Sequence, residues 1–292
     1  AATVASVLMM GVGGGLVLGT VQAVLADHHG ELRTIALAEE NVAASIAYLG
    51  LIGVLTLTAA LQVGWRVALL ASLIMPLVAW WNSRSVAIDA PPPSQVAGGR
   101  LPIGFWVAAA VLFCTTAAEW CVTAWGATFV EDAAGVSSDT AVATMGGYFG
   151  GVLVGRILGS RLARRYGPAR LLAFALGVTA AGFAVLWPST APVPALAGLA
   201  LLGIGLGNLY PMGVSLAVEL APGQSALASG RVVAMSSFAV VLAPLTVGTL
   251  ADATSLKVAL GVVPVMIALA VVGLTLVGRI RARASNPPVT AR

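Results

Sequence analysis

The chain has 292 residues, of which 59% are hydrophobic and only 9% charged, with a mean hydropathy of +0.98. Soluble domains carry roughly a quarter charged residues, so this composition excludes a water-soluble globular fold and makes lipid and neighbouring helices the main surroundings of the side chains. The net charge of +4 does not mark a nucleic-acid binder, because the basic residues fall in short loops, where they report orientation in a membrane.

A membrane span needs about 20 apolar residues to cross roughly 30 Å of hydrocarbon. Charges and turn residues divide the sequence into nine such stretches, at 3–25, 40–63, 66–83, 102–130, 139–163, 169–188, 193–217, 226–250 and 257–279. The chain opens Ala1-Ala2 without an initiator Met and with no charged segment before the first apolar run, so no signal peptide is visible. The first stretch carries Gly11, Gly15 and Gly19 at four-residue spacing, a pattern that lets helix backbones approach closely, together with the polar residues Thr20 and Gln22. The loop after it holds His28 and His29, with no nearby cysteine or second pair of ligands, and no metal site is expected there. Glu39 and Glu40 open the second stretch, at a helix start that favours negative charge. Asn41, Ser45 and Tyr48 follow on one face, and Tyr48 is deep enough for a ligand contact.

The longest polar connection follows the third stretch. It runs from Arg84 to Arg100 and contains Pro91-Pro92-Pro93 and Gly98-Gly99, a composition that does not form packed structure. It divides the chain into an N-terminal helical remainder (1–83), a linker (84–101), a six-helix bundle (102–280) and a tail (281–292).

The fourth stretch contains CTTAAEWCVTAW and places Glu119 far from any loop signal. A carboxylate at that depth costs several kcal/mol unless it is paired, hydrated or protonated. Three readings of Glu119 stand open: a proton carrier, a direct ligand for a cationic or hydroxyl-bearing solute, or a structural acid paired with a base elsewhere. Thr115 and Thr123 lie one turn away on the same face, with Thr116 beside them. Cys114 and Cys121, seven apart on one helix, would be about 10 Å from each other and cannot form a disulfide. The fifth stretch repeats glycine at 147, 151, 155 and 159, and the seventh carries Asn208 and Tyr210. Arg156 and Arg231 lie toward cytoplasmic ends, where a long side chain can reach the head groups; Arg231 is also a candidate gate contact.

The loops alternate in charge. One set holds Arg33, then Arg84 and Arg100, then Arg161, Arg164, Arg165 and Arg170, and last the tail with Arg279, Arg281, Arg283 and Arg292; the other holds Arg66 and Lys257 beside Glu131, Asp132, Asp139 and Asp252. The positive-inside rule makes the first set, and the C-terminus, cytoplasmic. Nine spans then put residue 1 outside, and three further spans ahead of it would restore the even count of a repeat-built transporter. Counted as spans four to twelve, spans four, seven and ten hold the polar residues and should line a cavity, while six, nine and twelve are nearly pure Leu, Val and Ala and should face lipid. There is no phosphate-binding glycine loop, metal-ligand set or Ser/His/Asp constellation, so neither an enzyme nor a cofactor is expected.

Several segments resemble the major facilitator superfamily. GGYFGGVLVGRILGSRLARRYGPARLL is similar to the second-half copy of that family's cytoplasmic loop motif, with Gly155, Arg156, Gly159, Arg165 and Gly167 at the expected places; Arg164 stands where the first-half copy carries Asp. GVGGGLVLGTVQAVLADHHGELR, Gly64-Trp65-Arg66, GIGLGNLYPMGVSLAVE with Pro211, and APLTVGTLAD with Pro244 extend the likeness along the chain. Glu119, Trp120, Trp125 and Glu131 are similar to the fucose-permease-like branch. The resemblance implies an all-α polytopic membrane protein of the major-facilitator type, nine spans of an expected twelve, in a bacterial-type cytoplasmic membrane. It implies alternating access for a small sugar-like or related polar solute with protons as the coupling ion. The expected solute and proton site is Glu119, Thr115, Thr116, Thr123, Asn208, Gln22 and Tyr210. The alternatives are a drug or metabolite efflux antiporter of the same fold and a non-transporting membrane sensor or assembly partner.

Overall fold

The computed structural model describes residues 2–85 and 100–285. The described residues are helical throughout, with no strand: α1 (Ala2–His29), α2 (Arg33–Ala60), α3 (Trp65–Ser72), α4 (Ile74–Ser83), α5 (Ile103–Ala134), α6 (Ser138–Leu162), α7 (Pro168–Leu186), α8 (Pro192–Glu219), α9 (Ser225–Ala253), α10 (Leu256–Ala259) and α11 (Val262–Ser285). Most of the linker expected at 84–101 and the end of the tail expected at 281–292 lie outside the described residues.

Eight segments among the described residues are long and apolar enough to cross a membrane, against nine expected stretches. The difference lies in the first of them, Met9–Tyr48, which at 40 residues is about 60 Å of helix and so has the length for two passes. A 3₁₀ turn at Gly30–Leu32 interrupts it; Gly30 takes φ 50°, in the left-handed region that costs glycine nothing, and α1 then packs against α2. α2 begins at Arg33, seven residues before the start expected at Glu40, so Glu39 and Glu40 sit inside the helix.

Prolines account for two further departures. The stretch expected as one helix over 66–83 breaks at Leu73, and the one over 257–279 breaks at Leu260-Gly261. Pro76 and Pro264 follow three and four residues after these breaks. Each proline lacks an N–H, and its ring clashes with the carbonyl four residues back, Ser72 and Leu260 in turn. Pro211 and Pro244 stay inside α8 and α9, where packing from neighbouring helices supports them.

The core lies in the second part of the chain. α8 is buried between α6 and α7, while α5 packs on α8, α9 and α11. The glycine stripe of α6 sets the closest approach: a Cβ at Gly151 or Gly155 would collide with the α8 backbone at Ala200 and Ile204, and one at Gly203 or Gly207 with the α6 backbone at Tyr148 and Val152. The stripe of α1 is different, because a Cβ on Gly11 or Gly15 would meet nothing within 4 Å. These residues face an open groove toward α9, lined there by Gly230, Val233 and Ala234. The long apolar side chains of α3 and α4, Leu70, Ile74, Met75, Leu77 and Trp80 among them, are exposed, as expected for a lipid-facing span.

Candidate functional site

A cavity of about 330 Å³ lies between α2, α5 and α6. α2 contributes Ser45 and Tyr48, α5 contributes Glu119, Trp120 and Thr123, and α6 contributes Tyr148, Phe149, Val152, Leu153 and Arg156. α5 presents Glu119, Trp120 and Thr123 to it because Thr123 lies four residues after Glu119 and three after Trp120, the spacings that place helical side chains side by side. Glu119 falls near the middle of the 32-residue α5, the depth at which a carboxylate is farthest from either aqueous surface. It has no hydrogen-bond or ion-pair partner at its carboxyl among the described residues, although the Arg156 charge acts on it from the opposite wall. The Thr123 hydroxyl pairs with the Tyr148 hydroxyl at 3.2 Å and with the Glu119 carbonyl at 2.9 Å. The Tyr48 and Phe149 rings are 6.3 Å apart and those of Tyr148 and Phe149 5.2 Å, so the wall facing the carboxylate is aromatic.

Arg156 is half-buried, and its guanidinium reaches across two helix interfaces. Nη1 donates to the Asn41 carbonyl at 3.2 Å and to the Ser45 hydroxyl at 2.5 Å, both on α2. Nε donates to the Gly207 carbonyl of α8 at 3.4 Å. That carbonyl is four residues before Pro211, whose missing N–H leaves it without its helical donor, and Arg156 supplies the replacement. Arg156, expected from its place near the cytoplasmic end to reach the head groups, lines the cavity instead, because partners on α2 and α8 hold it inside the bundle.

The remaining expected site residues are placed elsewhere. Gln22 of α1 donates to the Tyr210 hydroxyl of α8 at 3.3 Å, closing the bundle beside the cavity rather than lining it. Asn208 donates to the Gly155 carbonyl and lies against Gly159 at the α6–α8 contact. Thr115 donates to its own helix at Leu112, and Thr116 is buried with its hydroxyl unpaired among the described residues. The cavity is therefore walled by the second, fourth and fifth helical stretches of the chain, not by the first, fourth and seventh. Of the polar groups on α1 and α8, Gln22 and Tyr210 pair with each other and the Asn208 amide donates to the α6 backbone. Gly167 precedes Pro168, the first residue of α7, and Arg165 is exposed in the α6–α7 turn. Arg231 lies over the Trp106 ring at 5.8 Å and does not reach the cavity.

Contacts between residues 1–83 and the later helices crowd toward the end of the α1–α2 pair that carries the Gly30 turn. Besides Gln22–Tyr210 and the Arg156 bonds, Thr34 and Ser215 pair their hydroxyls while buried, and Arg164 forms an exposed ion pair with Glu39 at 3.3 Å. Toward the other end, Met9, Met10, Val12 and Leu16 of α1, Leu57 near the end of α2 and Leu61 just after it are exposed. The cavity is thus closed toward the end that carries the Gly30 turn.

Residues 108–292 match the family model of the Major Facilitator Superfamily. Among solved structures, the chain is similar to a Major Facilitator Superfamily transporter, FucP, solved in the outward conformation: 16% of residues are identical, 90% of this chain and 72% of that one are covered, and the TM-score is 0.67. No curated protein matches the chain.

Proposed function

Because this chain belongs to the Major Facilitator Superfamily and is a membrane transporter rather than an enzyme, we propose that it moves a small polar, sugar-like solute by alternating access with protons as the coupling ion. The observation that carries the reading is Glu119, a mid-helix carboxyl with no hydrogen-bond or ion-pair partner among the described residues, facing a cavity large enough for a small solute. An acid in that position changes protonation as the cavity opens to one side and then the other. Tyr48, Trp120, Tyr148 and Phe149 offer flat faces for a sugar ring, and Ser45, Thr123 and Arg156 offer hydrogen bonds to its hydroxyls. In this reading residues 1–83 and 102–280 are the two bodies that rock. The loop charges favour a C-terminus on the cytoplasmic side of the membrane, read here as a bacterial-type cytoplasmic membrane, which makes the closed side cytoplasmic and the state outward-facing.

The test uses the full chain in liposomes loaded with a pH dye, a panel of neutral sugars and organic cations added outside, and Glu119→Gln alongside. Sugar-dependent acidification of the liposome lumen that Glu119→Gln abolishes is the expected result. Sugar-driven proton movement that survives the substitution refutes Glu119 as carrier. The four aromatic rings around one carboxylate also suit an organic cation; cation-driven proton movement in the opposite direction would replace the sugar reading with efflux by exchange.

A further inference from the structure

We propose that Arg156 is a positioning residue that latches α2 to α6 and α8 whenever Glu119 is neutral and the cavity is empty, and so prevents protons from crossing without solute. The inference deepens the transport reading and rests on it for its functional consequence, while the latch itself stands on contacts independent of any solute.

Arg156 has three hydrogen-bond acceptors from two other helices and no carboxylate within ion-pair distance among the described residues. A half-buried cation held by neutral dipoles is held less firmly than one in a bidentate ion pair, which leaves it able to move. Two carboxyl groups on different helices act on it: Glu40 on α2, whose Oε2 accepts from Asn41 at 3.0 Å, and Glu119 on α5, which lines the same cavity. Tyr148 on its own helix and Tyr210 on α8 complete the ionisable groups around these charges. The balance between the two carboxylates decides which way the guanidinium leans.

Three states follow. An ionised Glu119 in an empty cavity draws the guanidinium off Asn41 and Ser45, which frees α2 and lets the empty carrier return. A protonated Glu119 in an empty cavity removes that pull, so Arg156 stays on α2 and the closed side stays closed. A protonated Glu119 with solute restores the pull, because the solute's oxygens accept the guanidinium's hydrogen bonds in place of Asn41 and Ser45. Only the second state would leak protons if it reoriented, and only the second state is latched. Proton and solute thereby move together through one side chain, the reciprocity that coupling requires.

The experiment measures opening of the closed side without any solute. Ala38 on α2 is buried in the same packed end, so Ala38→Cys, in a chain with Cys114→Ala and Cys121→Ala, reports opening by its rate of alkylation with N-ethylmaleimide. Ser45→Ala removes one charged hydrogen bond while keeping Arg156 in place, and should speed alkylation about fivefold or more. Arg156→Lys keeps the charge but loses the fork, and should do the same. Glu119→Gln mimics the neutral acid in an empty cavity and should slow it. In liposomes with a pH gradient and no solute, Ser45→Ala should pass protons faster than the parent. Alkylation unchanged by both Ser45→Ala and Arg156→Lys overturns the latch. Opposite shifts for Ser45→Ala and Glu119→Gln with no proton movement in any liposome sustain the latch and overturn the proton-coupled reading instead.

Discussion

The contact between α6 and α8 makes a sharp demand on Gly155. An alanine Cβ there would lie 2.9 Å from both the Cα and the carbonyl carbon of Ile204, against ordinary contact beginning at 3.4 Å. The opposing atoms are backbone and cannot rotate aside, so the helices must separate by about 0.5 Å or more, which forfeits roughly a quarter of the dispersion along the interface. Overpacking of this kind costs about 2–3 kcal/mol, against a gain of about 1 kcal/mol in helix propensity from Gly to Ala. Gly150, on the same helix, has nothing within 4 Å of its Cβ position, so Gly150→Ala keeps the propensity gain without the clash. The two variants should therefore differ by about 2–3 kcal/mol, or roughly 4–12 °C in melting temperature for a chain of this size. Cys121 is fully buried, and its reaction with a fluorogenic maleimide during heating in detergent reports unfolding. Equal melting temperatures for Gly155→Ala and Gly150→Ala would refute the close approach of α6 and α8.

Two further contacts are open to direct measurement. Thr34 and Ser215 pair while buried between α2 and α8, so a double-mutant cycle of Thr34→Val and Ser215→Ala, read by the same unfolding assay, should show a coupling of about 0.5–1.5 kcal/mol; strict additivity would mean the hydroxyls do not meet. Trp125 Nε1 donates to the Pro244 carbonyl at 3.0 Å and ties α5 to α9. Trp125→Phe should lower stability by about 1 kcal/mol, and an unchanged melting temperature would count against that bond.

Much of the fold was legible before any coordinates. Apolar length alone located the helices, because in hydrocarbon every backbone polar group must be satisfied within its own segment. Glu119 stood out for the same reason: a carboxyl far from every loop has no water to share. The breaks near Leu73 and Leu260 were also written in the chain, as Pro76 and Pro264, but apolar counting passes over a proline that hydropathy does not penalise. Conversely, Asn208 and Thr115 were polar residues at membrane depth and looked like site residues, yet each donates to nearby backbone.

Arg156 shows where the sequence stops. From the chain alone it is a basic residue six positions from the end of α6, and its length permits either a head group or the bundle interior. The signal that separates these outcomes is a relation between distant residues: a carbonyl orphaned by Pro211 on one helix, and a hydroxyl and a carbonyl offered by Ser45 and Asn41 on another. Composition and apolar length determine that this chain is a bundle of membrane helices with one acid at their mid-depth, since both follow from the cost of placing each group in lipid. Which helices wall the cavity, and which cation faces that acid, were decided only by tertiary packing, because a helix shows the same polar face to sequence whether water, a solute or a neighbour's backbone satisfies it.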